Sequence, residues 1–116
     1  MSKENLIVEK SIEFAVRVVN LYKYLVDEKC ERIMSKQLLR SGTSIGANVR
    51  EAIYAQSKKD FINKLSIALK ETSETEYWLD LLSRTEYLTE AQYKSLQSDC
   101  SEIAKLLTVI VKSSKS

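Results

Sequence analysis

Arg40-Ser41-Gly42-Thr43-Ser44-Ile45-Gly46-Ala47-Asn48-Val49-Arg50-Glu51-Ala52 is a run of small residues inside a longer helical pattern, and it holds both glycines of a 116-residue chain. Glycine in a helix interior costs about 1 kcal/mol relative to alanine, so a pair this closely spaced needs close packing or function to offset the loss. Around it, Met34, Leu38, Gly42, Ile45, Val49, Ala52 and Gln56 recur at alternating four and three, which is the seam of a helix over about residues 32–56. Arg40, Ser44, Asn48 and Glu51 fall along one side of that helix.

Outward from this helix the same period repeats. Ile7, Ser11, Phe14, Val18, Leu21 and Leu25 form the seam of a helix over about 4–27, with a second stripe of Val8, Ile12, Ala15, Val19, Tyr22 and Val26 beside it. Ser57 followed by Asp60 reads as an N-cap opening a helix over about 58–84, with Phe61, Leu65, Ala68, Thr72, Thr75, Leu79 and Leu82 on its seam. Thr89 and Gln92 give a capping box for a last helix over about 90–112, carrying Tyr93, Leu96, Cys100, Ile103, Leu107 and Ile110, with Ser113 to Ser116 expected to fray. The chain has no proline. The expectation is therefore one all-α domain over 1–116, an antiparallel up-down-up-down four-helix bundle.

Composition narrows the chemistry. With 18 basic and 16 acidic residues the net charge is only +2, so affinity for nucleic acid would have to come from where charges sit. There is no histidine, which removes the commonest general base and metal ligand. Cys30 and Cys100 are far apart and read as a reduced pair, and no apolar run reaches the ~18 residues of a membrane span. A non-enzymatic, cytoplasmic protein without cofactor, metal site or membrane contact is expected. Carboxylate pairs such as Glu71 with Glu74 or Glu76 with Asp80 have Lys70, Lys64 and Arg84 nearby, which suits a solvated face better than acid–base catalysis.

On the third helix, Ile67, Trp78 and Leu81 fall with Glu74 on a face turned more than about 90° from the seam, an apolar patch that predicts self-association. Glu74 within it needs a partner, and Arg40 is the natural one. Arg40 and Glu51 are too far apart along one helix to pair with each other. Hence Arg40, Ser44, Asn48, Glu51 and Glu74 are read as a polar network at or near a subunit boundary, against the alternative of solvated surface residues. On the second helix, the side opposite the Leu38 and Ile45 seam collects Arg32, Lys36, Arg40, Arg50 and Tyr54 and continues into Lys58 and Lys59. Such a basic stripe with one aromatic suits a phosphate backbone, and copies assembled side by side would add their fields.

The segments Lys10–Ala15, Gln37–Ala52 and Ile67–Leu79 together resemble the bacterial 23S rRNA intervening-sequence (S23 ribosomal protein) family over nearly the whole chain. The Arg-Ser-x-x-Ser-Ile-x-x-Asn-x-x-Glu string from Arg40 to Glu51 is its most specific part. The resemblance implies a closed ring of four-helix protomers, typically a homopentamer. It also implies similarity to the accessory protein of diversity-generating retroelements, which works with a reverse transcriptase and nucleic acid. The expected function is binding of RNA or DNA by a homo-oligomer, and the alternative is a scaffold for a protein partner with no nucleic-acid role.

Overall fold

Each helix begins where a side chain can satisfy its first free N–H groups. In the computed structural model, which describes residues 2–115, the Ser2 hydroxyl accepts from the Asn5 N–H at 3.0 Å and opens α1 (Lys3–Asp27). Ser57 accepts from the Asp60 N–H at 3.0 Å and opens α3 (Lys58–Arg84), as the sequence predicts. The Thr89–Gln92 capping box forms, with bonds of 2.9 and 3.1 Å, ahead of α4 (Glu90–Lys115).

The second helix, α2 (Met34–Ile53), is shorter at both ends than the expected 32–56. Its N-cap residue Ile33 has no capping side chain. Glu31 substitutes for it: its carboxylate accepts the N–H groups of Ile33 and Met34 at 3.2 Å each and of Ser35 at 2.7 Å. That geometry fixes Met34 as the first helical residue. At the other end Tyr54 (ψ 15°) leaves the helix, and Ser57 is already extended for the next cap. At the far end of α4 the expected fraying does not occur at 113–115. The hydroxyls of Ser113 and Ser114 bond the Ile110 carbonyl at 3.1 and 2.7 Å and the helix continues to Lys115; Ser116 lies outside the described residues.

With both glycines spent inside α2, the connections use other residues in left-handed conformations, Cys30 (φ 54°) and Glu86 (φ 67°). Glu86 sits in a Schellman turn: the Tyr87 N–H reaches the Leu82 carbonyl at 2.9 Å and the Glu86 N–H reaches that of Ser83 at 3.1 Å.

The core is the set of four seams. Ile7, Phe14, Val18, Leu25, Leu38, Ile45, Val49, Leu65, Leu79, Leu82, Ile103 and Leu107 are all buried, and α2 packs on α1 and α3, α3 on α4, and α4 on α1. The molecule measures 45 × 22 × 21 Å, the length of its helices. Polar side chains on the seams are paired inside it. Thr75 donates to the Ser41 hydroxyl at 3.0 Å, joining α3 to α2, and Thr72 donates to the Ala68 carbonyl at 2.8 Å. Among the described residues no helix is long and apolar enough to cross a membrane.

Candidate nucleic-acid interface

The side chains of interest radiate from α2, whose buried seam aims three other sides at α1, α3 and solvent. On the α3 side, Arg40 forms ion pairs with Glu74 and, at 3.4 Å, with Glu71. Glu74 also accepts the Trp78 indole N–H at 3.0 Å. The Arg40 guanidinium, helped by that indole donor, holds the Glu74 carboxyl below the usual carboxylate range against the opposing effect of burial. The expected Arg40–Glu74 pairing is thus present, and it closes within one chain. Half of the Arg40 side chain stays exposed, so the pair contributes no more than about 1 kcal/mol.

The other residues read into that network go elsewhere. Ser44 donates to the Arg40 carbonyl at 2.7 Å and Asn48 to the Ser44 carbonyl at 2.9 Å, both back onto their own helix. Glu51 pairs with Lys64 of α3 at 3.1 Å. Arg40 with Glu74 and Glu51 with Lys64 are separate α2–α3 ties.

Trp78 packs against the core from its flank, and its ring meets Tyr77 edge-on at 4.9 Å; Ile67 and Leu81 are half-buried. The more exposed apolar side chains lie elsewhere. Ile12 (48% exposed) and Val16 (54%) stand on α1, Ile12 at the edge facing α2. There a groove of about 360 Å³ opens, lined by Val8, Ile12 and Ala15 of α1 and Thr43, Gly46 and Ala47 of α2, with the charged Arg50 and Glu51 also in its lining. None of the second stripe of α1 named from the sequence (Val8, Ile12, Ala15, Val19, Tyr22, Val26) is fully buried. Three members of that stripe, Val8, Ile12 and Ala15, line the groove.

On the solvent side of α2, Arg32, Lys36, Arg50, Tyr54, Lys58 and Lys59 are all exposed. Arg32, Lys36, Arg50 and Lys59 have no ion-pair partner among the described residues. Because Arg40 is held by Glu71 and Glu74, the basic stripe has a gap in its middle. Arg32 and Lys36 lie before that gap and Arg50, Lys58 and Lys59 after it, with Arg50 about 20 Å along the axis from Lys36 at 1.5 Å per residue.

No group of three or more metal-ligating side chains converges among the described residues. Cys30 is exposed, Cys100 is buried in the core, and burial pushes the Cys100 thiol up, away from thiolate reactivity.

Residues 3–109 match the family described as 23S rRNA-intervening sequence protein. The fold is also that of a crystal structure of a protein with unknown function from the S23 ribosomal protein family of Bacteroides thetaiotaomicron. The two share 66% identity and a TM-score of 0.95 over 96% of this chain and 99% of that one. No functionally curated protein matches.

Proposed function

The chain belongs to the 23S rRNA-intervening sequence protein family, and we propose that it is a non-enzymatic, self-assembling four-helix bundle that binds nucleic acid through the solvent face of α2. The antiparallel up-down-up-down arrangement is supported by the register of its cross-helix pairs. Gly42 stands against Val18 where Gly46 stands against Ser11, Arg40 reaches Glu74 where Glu51 reaches Lys64, and Lys10 pairs with Glu102 where Arg17 pairs with Asp99. In each case the numbers run oppositely. Free thiols at Cys30 and Cys100 accord with a reducing compartment, so the cytoplasm is the proposed location.

The observation that carries the nucleic-acid reading is that Arg32, Lys36, Arg50 and Lys59, exposed and outside every ion pair among the described residues, follow one helix and its two connections, whereas Lys3, Lys23, Lys29, Lys70, Lys105 and Lys115, which form no ion pair either, are spread over the other helices and connections. Charges already neutralised within the fold release few counterions on binding; unpaired ones release theirs. Titration with RNA and DNA at two salt concentrations tests it. Affinity should fall with salt, and replacing Lys36, Arg50 and Lys59 together by Gln should lower the log–log slope by about 2–3, at roughly 0.7–0.9 for each phosphate no longer neutralised. No affinity for either polymer at low salt would end the reading.

Self-assembly rests on the α1–α2 groove, whose lining sets the exposed Ile12 beside the small residues Ala15, Gly46 and Ala47. A ring, the homopentamer that the family resemblance implies, would cover its apolar part and leave Arg50, which also lines it, at the edge open to nucleic acid. Ile12→Glu should reduce the mass measured by light scattering to that of one chain while the helical circular-dichroism signal persists. A wild-type protein that stays a single chain at high concentration contradicts the proposal. The same groove favours a second reading, a scaffold for a protein partner. Salt-insensitive co-purification of a protein, abolished in the Ile12→Glu variant, would select it.

A further inference from the structure

We propose that Tyr54 is a base-stacking platform, and that the C-terminal end of α2, carrying Arg50 and Tyr54, together with Lys59 at the start of α3 takes single-stranded nucleic acid in preference to duplex. This rests on the nucleic-acid reading above and adds where the chain is gripped and in what form.

Tyr54 is 80% exposed, the highest value among the large apolar and aromatic side chains. It occupies the C-cap of α2, so its ring projects where the backbone turns away. It has no hydrogen-bond, ring or cation partner among the described residues. The other well-exposed tyrosine, Tyr77, is already engaged with the Trp78 ring, and Tyr24 lies under the Lys29 ammonium. An unengaged aromatic at the surface exposes apolar area that a stacked base would cover.

Charge surrounds this ring on both sides along the chain. Arg50 lies one turn earlier, roughly 6 Å away between Cβ atoms as for any i, i+4 pair, and Lys59 follows in the first turn of α3. Both are exposed and unpaired. An aromatic flanked by unpaired cations is the arrangement that holds a single strand, whose bases offer free π faces while its phosphates meet the cations. In a duplex those faces are already stacked on each other, and exposing one requires unstacking a step.

The test compares an oligo-uridylate and an oligo-thymidylate of about 12 nucleotides, inside the usual 4–16 nucleotide site, with RNA and DNA duplexes of similar length. The proposal expects both single strands to bind more tightly than either duplex. It expects Tyr54→Ala to weaken them about 5- to 100-fold with the salt slope unchanged, and Tyr54→Phe to restore binding. Arg50→Gln should lower the slope by about one. Mass by light scattering is recorded for every variant. Single-strand binding that survives Tyr54→Ala, or duplex bound as well as single strand, overturns this inference and leaves the nucleic-acid reading standing. Loss of binding accompanied by a change in mass also overturns it, because it assigns Tyr54 to a subunit contact. No binding of any probe overturns both.

Discussion

Glu31→Ala should destabilise the protein by about 2–3 kcal/mol, seen as a lower urea midpoint at unchanged slope. The Glu31 carboxylate accepts three N–H groups of the first turn of α2, at 3.2, 3.2 and 2.7 Å, while Ser35 closes the ring by donating its hydroxyl to the Glu31 carbonyl at 2.8 Å. Glu31 is only 8% exposed, so water replaces the missing acceptor poorly. Ordinary caps contribute about 0.5–2 kcal/mol, and hydrogen bonds to a charged partner about 1.5–3. The carboxylate also sits where the dipole of α2 is positive. Glu31→Gln keeps the shape and one acceptor and should cost about 1 kcal/mol. A loss below about 0.5 kcal/mol in the alanine variant would mean that solvent reaches these donors after all.

The same site predicts a direction with pH. Burial alone would push the Glu31 carboxyl up, yet the backbone donors of Ser35, Met34 and Ile33 outweigh it and hold the group below its ordinary value of 4.5. A carboxyl lowered by folding contributes stability that is complete above 4.5 and is lost as pH falls through its folded value. Glu74, lowered by Arg40 and Trp78, acts in the same direction. The stability gap between wild type and Glu31→Gln should therefore hold steady above pH 4.5 and shrink in acid.

Helix positions, seams and the caps at Ser57 and Thr89 lie open in the sequence, whereas the cap of α2 and the true excess of apolar surface do not. Period and side-chain type decide a seam, so Leu38, Ile45 and Val49 or Leu65 and Leu79 are placed by arithmetic. A cap that reaches forward from two residues before the N-cap, as Glu31 does, leaves no standard spacing; its only trace is the uncapped Ile33. The apolar surface shows a second limit. A helical wheel gives angles but not the reach of a side chain, and the indole of Trp78 extends back to the core while its N–H is satisfied by Glu74. Ile12 and Val16, shorter and branched, stop at the helix surface and stay exposed. The polar residues on α2 divide for a similar reason. Arg40 and Glu51 are long enough to cross to α3, whereas Ser44 and Asn48 are short enough to bond their own backbone first.

The two glycines should respond oppositely to alanine, since the cost of glycine in a helix is the same at both and the space is not. At Gly42 a Cβ would stand 2.8 Å from both Val18 methyl carbons and 3.2 Å from Val18 Cβ. Val18 is fully buried and β-branched, so it has no second rotamer to retreat into, and α1 must shift away from α2. Overpacking of this kind costs about 1–3 kcal/mol, and two methyl carbons inside 3.0 Å put Gly42 in the upper half of that range; against a helix-propensity gain of about 1, Gly42→Ala should lose about 1–2 kcal/mol net and some 4–10 °C in Tm. At Gly46 the nearest atom to an added Cβ is the Ser11 carbonyl oxygen at 3.4 Å, an ordinary contact, and Gly46→Ala should be neutral to stabilising by about 0.5 kcal/mol. Combining Gly42→Ala with Val18→Ala decides the mechanism. Smaller Val18 makes room for the new methyl, so the double variant should lose less than the sum of the singles, by about 1 kcal/mol or more. Strict additivity would show that the penalty at Gly42 does not come from Val18.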